Sequence, residues 1–335
     1  MKNIELPRKV LVGEDAIYEI DEVVAELGLK GRPLILCDTT TRDIAGDAVA
    51  EELGAKATVI NDFCASELRH IHNAIRDDDV AYVVGVGGGR VIDSGKVIAF
   101  ENKVPYISMP TAASHDGIAS PQASLKADKP VTVQVHCPMA VIADTKIIAK
   151  APRRLLAAGC ADAISNYTAV LDWQLAHEER KEYFGDYASA LSMMSAEIIM
   201  EKNAQVYKNI SILVEALISS GVAIGIAGSS RPCSGSEHLF SHTLDLICER
   251  PALHGEQCGV GTIMMAHLHG ADWQKVKAAL KKCEAPTTAA EMKIPEEKII
   301  QALTTAHSVR ERYTILRKGL GAKEAERVAK ETGVI

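Results

Sequence analysis

The sequence has few aromatic residues and lacks the charge pattern of proteins that bind nucleic acid. Phe, Trp and Tyr make up 4% of the 335 residues, whereas hydrophobic residues make up 47%. The core must therefore consist mainly of Ala, Val, Ile and Leu. The formal net charge is −7, and the chain contains no block of basic residues. These features argue against nucleic acid or an anionic membrane as the main partner.

The distribution of cysteines and of apolar residues indicates a cytoplasmic protein. The 8 cysteines are dispersed and no two are spaced as CxxC, which in a long chain is typical of reduced thiols. Residues 1–10 contain no apolar segment of the kind found in a signal peptide. The longest apolar stretch, residues 216–227, is interrupted at Ser219, Ser220 and Gly221. It is shorter than the ~20 residues needed to cross a bilayer, so we expect no stable membrane anchor.

Two sequence patterns divide the chain near residue 146. Before this point, β-branched runs alternate with helical patterns, which predicts a parallel sheet with helices on both faces. After it, nearly all the sequence has helical periodicity. We therefore predict an α/β domain at residues 1–146 and an all-helical domain at residues 147–335. The predicted strands are 34–37, 58–60, 80–84, 105–109, 131–135 and 140–144. The predicted helices are 45–53, 67–76, 91–99, 168–181, 188–203, 211–219, 235–248, 259–269, 295–313 and 322–330.

A glycine-rich segment, Gly85-Val86-Gly87-Gly88-Gly89, lies between a predicted strand and a predicted helix. Glycines let the backbone approach a pyrophosphate, and a helix N-terminus supplies oriented N–H donors. The usual GxGxxG spacing is absent, because Arg90 stands where the third glycine should be, and no Walker lysine pattern is present. A tight turn is the alternative, but so many small residues exceed what a turn needs. Asp93 and Lys96 follow at i,i+3, and by themselves they indicate an ordinary solvated ion pair.

Three candidate metal ligands, Asp162, His238 and His254, lie in the second half of the chain. A carboxylate and two imidazoles suit a divalent zinc or iron ion and leave coordination positions open. Because His238 and His242 are spaced i,i+4, a site of three histidines is an equally good interpretation. Asp162 lies among small residues, where a carboxylate needs a cationic partner, unless it caps a helix after Gly159. A metal beside a dinucleotide site would indicate hydride exchange with a carbonyl carbon.

Three segments together resemble a known family. Residues 87–96 resemble the GGGxxxDxxK signature of metal-dependent polyol dehydrogenases, which share their fold with dehydroquinate synthase, and residues 105–117 resemble the second cofactor loop of these enzymes. Residues 230–242 look specifically like sn-glycerol-1-phosphate dehydrogenases, which make the glycerophosphate backbone of archaeal lipids. The resemblance covers almost the whole chain. It implies a dehydroquinate synthase-like α/β N-terminal domain with a parallel sheet, followed by an all-α C-terminal domain.

The resemblance also implies roles for the candidate metal ligands. It makes Asp162, His238 and His254 the ligands of Zn²⁺ and places His242 against the substrate instead. Asp116 and Asp162 would lie near the substrate as well, so the implied catalytic residues are Asp116, Asp162 and His242. The metal and the substrate would bind in the helical domain, in a crevice facing the dinucleotide-binding domain.

The implied cofactor is NAD or NADP, held by the glycine segment, the second loop and the end of an early strand. An Asp at that strand end normally favours NAD through the ribose 2′-OH, but the family is often permissive for NADP. The implied cofactor-binding residues are Gly87, Gly88, Gly89, Arg90, Val91, Ile92, Asp93, Thr111, Ala112, Ala113, Ser114, Ser120, Asp38 and Thr39.

The reaction implied by the resemblance is the reversible reduction of dihydroxyacetone phosphate to sn-glycerol 1-phosphate. Arg231, with Ser230, Ser234 and Ser236 before the helix that carries His238, forms a candidate site for the phosphate dianion. The alternatives are a glycerol dehydrogenase, a dehydroquinate synthase-like lyase and a zinc or nucleotide sensor. The sequence leaves open whether identical chains associate.

Overall fold

The computed structural model describes residues 4–61, 65–126 and 130–335, so Cys64 lies outside the described residues. The chain divides into two compact units, Met1–Pro152 and Arg153–Ile335. The helix that precedes the division, Thr145–Ile148, has an N-cap at Asp144, whose carboxylate accepts the N–H groups of Lys146 and Ile147. Because Asp144 is also the last residue of a strand, this helix continues the first unit.

The first unit is built on a parallel sheet, as the alternating pattern predicted. Its strands are β1 (Lys9–Gly13), β2 (Arg32–Cys37), β3 (Ala57–Val59), β4 (Val80–Gly87), β5 (Tyr106–Pro110), β6 (Gln122–Lys126), β7 (Pro130–Gln134) and β8 (Ala140–Asp144). Six of them form a sheet in the order β1-β8-β5-β4-β2-β3, and every pair in it is parallel. Strands β6 and β7 form a separate antiparallel pair. Two strands, β1 and β6, were not predicted; β1 lies at the sheet edge, and β6 has a largely polar sequence.

Helices cover both faces of this sheet. They are α1 (Ile20–Glu26), α2 (Thr39–Thr41), α3 (Asp47–Glu52), α4 (Ala65–Asp77), α5 (Gly89–Asn102) and α6 (Thr145–Ile148). Successive side chains of β4 point to opposite faces. Val84 and Val86 join the core cluster that contains residues of α1 and α3, whereas Val83 joins a cluster that contains Val91 and Ile98 of α5. The central strand is thus buried on both sides, which explains its continuous apolar sequence.

The second unit is helical throughout its regular structure, again as predicted. Its helices are α7 (Arg153–Arg180), α8 (Asp186–Lys202), α9 (Ser211–Ala227), α10 (Ser236–Ile247), α11 (His254–Leu268), α12 (Trp273–Lys282), α13 (Ala289–Met292), α14 (Glu296–Thr305) and α15 (Ala322–Glu331). Helix α7 begins well before residue 168, where the sequence predicted its start. The first half of α7 is buried on nearly all sides, so it lacks the amphipathic periodicity that would have predicted it. The predicted helix at residues 295–313 ends early, and α12 was not predicted. Within the described ranges, no helix has the length and apolarity that a membrane span requires.

Helices α7 and α11 approach each other closely because small residues line their contact. A Cβ added at Gly255 would press against the backbone carbonyl of Ala158, closer than van der Waals contact allows. A Cβ added at Gly259 would lie 2.9 Å from the Cβ of Ala161. The next residue of α7, Asp162, lies mid-helix, so the alternative that it caps a helix is wrong.

We expect Gly255→Ala to destabilise the protein by about 1–3 kcal/mol, because the added methyl group must push α11 away from α7. Urea unfolding of the purified protein measures this effect. Gly13→Ala is the control, since a Cβ at Gly13 meets no atom within 4 Å, and it should change stability by less than about 0.5 kcal/mol. Equal stabilities of the two variants would contradict the close helix contact.

Candidate functional site

The second unit brings together a carboxylate and two imidazoles from three helices. Asp162 comes from the middle of α7, His238 from the first turns of α10, and His254 from the first residue of α11. One donor atom from each lies within 4.8 Å of the others, and His254 Nε2 is 3.7 Å from Asp162 Oδ1. Donor atoms around one tetrahedral ion, with bonds of about 2.0–2.3 Å, lie roughly 3.3–3.8 Å apart. The three side chains could therefore hold one metal ion.

Cys258 joins this donor cluster, and the sequence reading missed it. It lies one turn after His254 on α11, is fully buried, and its Sγ lies 3.6 Å from His254 Nε2. Burial raises the pKa of the thiol to about 11 when no ion is present, and the charge of Asp162 adds to this effect while His238 opposes it. The i,i+4 spacing of a histidine and a cysteine at the start of a helix was the signal that could have revealed it.

Hydrogen bonds orient the two imidazoles. His238 Nδ1 lies 2.9 Å from Glu237 Oε1, and the buried Glu237 also accepts the Thr168 hydroxyl at 2.8 Å. His254 Nδ1 lies 3.2 Å from the Ser241 hydroxyl. In each ring, Nδ1 thus forms a hydrogen bond with a neighbouring side chain, and Nε2 is the atom that could bind a metal. This is the usual arrangement around histidine metal ligands.

His242 lies beside the donor cluster, one turn after His238 on α10. Its ring centroid is 5.7 Å from that of His254 and 6.3 Å from that of His238. Its Nδ1 is buried and has no hydrogen-bond partner among the described residues. Burial lowers the pKa of His242 to about 3, and the positive charges of His238, Arg310 and Arg312 lower it further. The ring is therefore neutral near pH 7, with a buried nitrogen that a ligand could satisfy.

A second combination of donors keeps the alternative role of His242 open. One atom each from His242, Asp245 and His254 also lies within 4.8 Å of the others. Asp245 is already engaged, because its Oδ1 accepts the Gln257 side-chain N–H at 3.1 Å. Geometry thus permits His242 either to contact a substrate or to bind the metal, and variants must distinguish the two roles.

In the first unit, the glycine segment joins β4 to α5 and leaves open space at the helix N-terminus. Gly88 is the N-cap, and no side chain caps the helix. A Cβ at Gly87 would lie 2.7 Å from the Val91 side chain, and one at Gly89 would press on His115, whereas one at Gly88 would meet nothing within 4 Å. The first-turn N–H groups have no intrahelical acceptor. This arrangement fits a pyrophosphate, which would occupy the space beside Gly88.

Two neighbouring strands end beside this cradle. Strands β2 and β5 flank β4 in the sheet, and because all three are parallel, their carboxyl ends lie at one edge. Asp38 follows β2 and caps α2 by accepting the Thr41 N–H at 2.7 Å, and the Thr39 hydroxyl donates to Asn61 at 2.7 Å. Residues 38–41 therefore begin a helix, with Asp38 as its N-cap. Thr111 follows β5, and its N–H donates to the carbonyl of Gly87 at 3.0 Å.

The Asp93–Lys96 pair is buried, so the interpretation as a solvated ion pair is wrong. Lys96 Nζ lies 2.8 Å from Asp93 Oδ1, and the lysine is 1% exposed. The ammonium also donates to the carbonyl of Gly117 at 2.8 Å and to that of Gln122. Asp93 Oδ2 accepts the Ser124 N–H at 3.0 Å. The pair thus ties the loop after β5 and strand β6 to α5.

The remaining predicted cofactor residues and the predicted catalytic residue Asp116 lie in, or directly after, the loops that follow β4 and β5. Val91 and Ile92 have fully buried side chains, so only their backbone can face a ligand, whereas Arg90 is exposed. Asp116 begins the 3-10 turn Asp116–Ile118. The loop after β5 contains the predicted residues Ala112, Ala113 and Ser114. Ser120 is buried, and its hydroxyl donates to the carbonyl of Gln122 at 3.3 Å.

The predicted phosphate site before α10 is occupied by internal contacts. Arg231 pairs with Glu182, and its guanidinium donates to the carbonyl of Tyr313 at 2.8 Å. The N–H and the hydroxyl of Ser236 donate to Asp172 Oδ2 at 2.6 and 2.5 Å. Arg231 and Ser236 therefore already have internal acceptors in this structure, and their predicted role in binding an anion stays a prediction.

We expect Gly88→Val to weaken binding of NADH and NADPH at least tenfold, because the side chain would fill the space beside the helix N-terminus. Fluorescence titration with each nucleotide measures this change, and circular dichroism checks the fold. Gly13→Ala serves as the control. Unchanged nucleotide affinity would reduce the segment to a structural turn.

We expect His254→Ala to lose both bound metal and activity, because a three-ligand site has no ligand to spare. His242→Ala should keep the metal and lose turnover by ~10²-fold if the ring acts on the substrate. Elemental analysis of dialysed protein, together with turnover, separates the two effects. Metal loss in His242→Ala with retention in His254→Ala would exchange the two roles.

Comparisons with known proteins identify the family of the chain. Residues 11–152 match the family described as iron-containing alcohol dehydrogenase. The glycerol-1-phosphate dehydrogenase [NAD(P)+] of Methanosarcina acetivorans is 51% identical, over 100% of this chain and 97% of the relative; that of Pyrococcus furiosus is 48% identical over the whole of both. A probable glycerol dehydrogenase from Sinorhizobium meliloti 1021, at 19% identity, shares the fold, with a TM-score of 0.81 over 99% of this chain and 98% of that structure. The chain therefore belongs to the glycerol-1-phosphate dehydrogenase family.

Proposed function

We propose that this chain catalyses the reversible, NAD(P)H-dependent reduction of dihydroxyacetone phosphate to sn-glycerol 1-phosphate. The observation that carries the proposal is the convergence of Asp162, His238 and His254 from three helices. It occurs in a chain whose relatives with this named activity match it from end to end. The product would supply the glycerophosphate backbone of archaeal phospholipids, and the enzyme would act in the cytoplasm. No disulfide forms among the cysteines that the structure describes, which supports that location.

Asp162, His238 and His254 would hold the metal, for which we propose Zn²⁺. When bound, the ion supplies a Lewis acid that polarises the ketone and stabilises negative charge on its oxygen. Two imidazoles and a carboxylate suit zinc or iron, and the thiol of Cys258 beside them adds a soft donor that favours zinc. Glu237 and Ser241 would fix the two rings so that Nε2 of each faces the ion.

The first unit would bind the dinucleotide through its backbone. The space beside Gly88 would receive the pyrophosphate, and the first-turn N–H groups of α5 would donate to it. Asp38 at the end of β2 would accept the ribose hydroxyls, which favours NAD, while NADP stays as a second cofactor for this family. Lys96 and Asp93 would hold the loop that carries Asp116 and Ser120 in position.

His242 and Asp116 would orient the substrate hydroxyls and relay the proton that the reduced ketone takes up. His242 is suited to this role because its ring is neutral near pH 7 and its buried Nδ1 has no partner among the described residues. A neutral imidazole donates one hydrogen bond and accepts another, so it can pass a proton between substrate and solvent.

The proposal is tested by comparing kcat/KM for dihydroxyacetone phosphate and for dihydroxyacetone, with NADH and with NADPH. We expect the phosphorylated ketone to be preferred by roughly a hundredfold or more, because charge-assisted contacts to the phosphate are lost with the smaller ketone. Chelator-treated enzyme, with and without added Zn²⁺, is the control. Equal efficiencies would favour a glycerol dehydrogenase, and turnover without net oxidation of the cofactor would favour a lyase of the dehydroquinate synthase type.

A further inference from the structure

Cys258 lies in the donor cluster at the distance that separates two ligands of one tetrahedral ion. Its Sγ is 3.6 Å from His254 Nε2 and 3.9 Å from His254 Nδ1. With metal–sulfur bonds of about 2.3 Å and metal–nitrogen bonds of about 2.0–2.1 Å, a tetrahedral ion holds the sulfur and the nitrogen roughly 3.5–3.6 Å apart. The nitrogen nearer to Sγ is thus at the expected distance, and it is the same atom that lies 3.7 Å from Asp162 Oδ1.

The close contact between α7 and α11 fixes the position of this cysteine. His254 and Cys258 are spaced i,i+4, so they share one face of α11. The residue after Cys258 is Gly259, where an added Cβ would lie 2.9 Å from the Cβ of Ala161 on α7. Asp162 follows Ala161 directly. The contact that brings the carboxylate of Asp162 to His254 therefore brings it to Cys258 as well.

A small apolar residue of the core is the other role open to Cys258, as it is for many buried cysteines. The residue is 0% exposed. Its sulfur, however, faces the imidazole of His254, and the two other members of the donor cluster, Asp162 and His238, are buried as well. Three protein ligands leave one position of a tetrahedral ion to fill. The thiol of Cys258 is the remaining donor of this cluster.

We propose that Cys258 Sγ fills the fourth coordination position of the metal in the substrate-free protein. The proposal rests on the metal site of the proposed function, in which Asp162, His238 and His254 stay bound throughout. The bond between Sγ and the ion would form as the thiol proton leaves to solvent. Substrate would have to displace Cys258 from this position, and the released thiolate would regain a proton.

A thiolate in the fourth position influences which ion the protein retains. Thiolates favour soft ions such as Zn²⁺, whereas Mn²⁺ prefers oxygen ligands. Cys258 would therefore add to the affinity of the substrate-free protein for Zn²⁺ and contribute little to its affinity for Mn²⁺. A cysteine that only packs in the core would influence the two affinities equally.

Absorption spectra of the Co²⁺-loaded protein give the first test, because a thiolate bound to Co²⁺ produces a sulfur-to-cobalt charge-transfer band in the near ultraviolet. We expect this band in the substrate-free wild type and its loss in Cys258→Ser. Saturating dihydroxyacetone phosphate, added with the oxidised cofactor so that no turnover occurs, should weaken the band. Cys160→Ser is the matched control and should keep the band, because Cys160 is also fully buried but is not among the described residues that form the donor cluster.

Metal affinities, measured by competition with chelators, give the second test. Cys258→Ser should weaken Zn²⁺ binding roughly a hundredfold or more, because even groups that only orient a ligand change metal affinity by about 10–100-fold. The affinity for Mn²⁺ should change less than about threefold. Cys258→Ala gives the same comparison if Cys258→Ser does not fold, and the band of the wild type is decisive without any variant.

The outcomes separate this proposal from the proposed function. A wild type that binds neither Zn²⁺ nor Co²⁺ would refute the metal site of the proposed function, and the role of Cys258 with it. A Co²⁺-loaded wild type that reduces dihydroxyacetone phosphate but shows no charge-transfer band would overturn the role of Cys258 alone. A band that persists in Cys258→Ser or at saturating substrate would also overturn it, as would an equal loss of affinity for Zn²⁺ and Mn²⁺.

Discussion

The contact between α7 and α11 is the constraint on which the donor cluster depends. Gly255 and Gly259 leave no room for a methyl group against Ala158 and Ala161, so the two helix backbones lie at the closest approach that packing allows. Asp162 follows directly on this contact. A larger residue at either glycine would push α11 away from α7 and so move His254 away from this carboxylate. Small residues in α7 and α11 are therefore part of the site, although they offer no donor atom.

A second requirement is that buried charge must be satisfied. Glu237 is fully buried, and an unpaired carboxylate there would be costly. It accepts the Gly235 N–H at 2.5 Å and the Thr168 hydroxyl, and it orients His238. The carboxylate of Asp172 likewise accepts the N–H and the hydroxyl of Ser236. These carboxylates hold the start of α10 in place, and in doing so they occupy the donors that would otherwise bind an anion.

The first unit uses a buried ion pair for a similar purpose. Lys96 on α5 reaches the backbone carbonyls of Gly117 and Gln122, and Asp93 accepts the N–H of Ser124. A helix that begins at the glycine cradle is thereby joined to the loop that follows β5. Because Asp93 and Lys96 neutralise each other, the junction can be buried without leaving a net charge in the interior.

The sequence by itself determined the parallel sheet, the helical second half and the chemistry of the donors. Strand β8 and helix α10 follow from local apolar periodicity, and Asp162, His238 and His254 follow from residue type together with the family resemblance. Tertiary structure alone decided the rest, because it depends on residues that are distant along the chain. Only packing showed that Cys258 joins the cluster. Only the tertiary structure showed that Arg231 pairs with Glu182 and donates to the carbonyl of Tyr313.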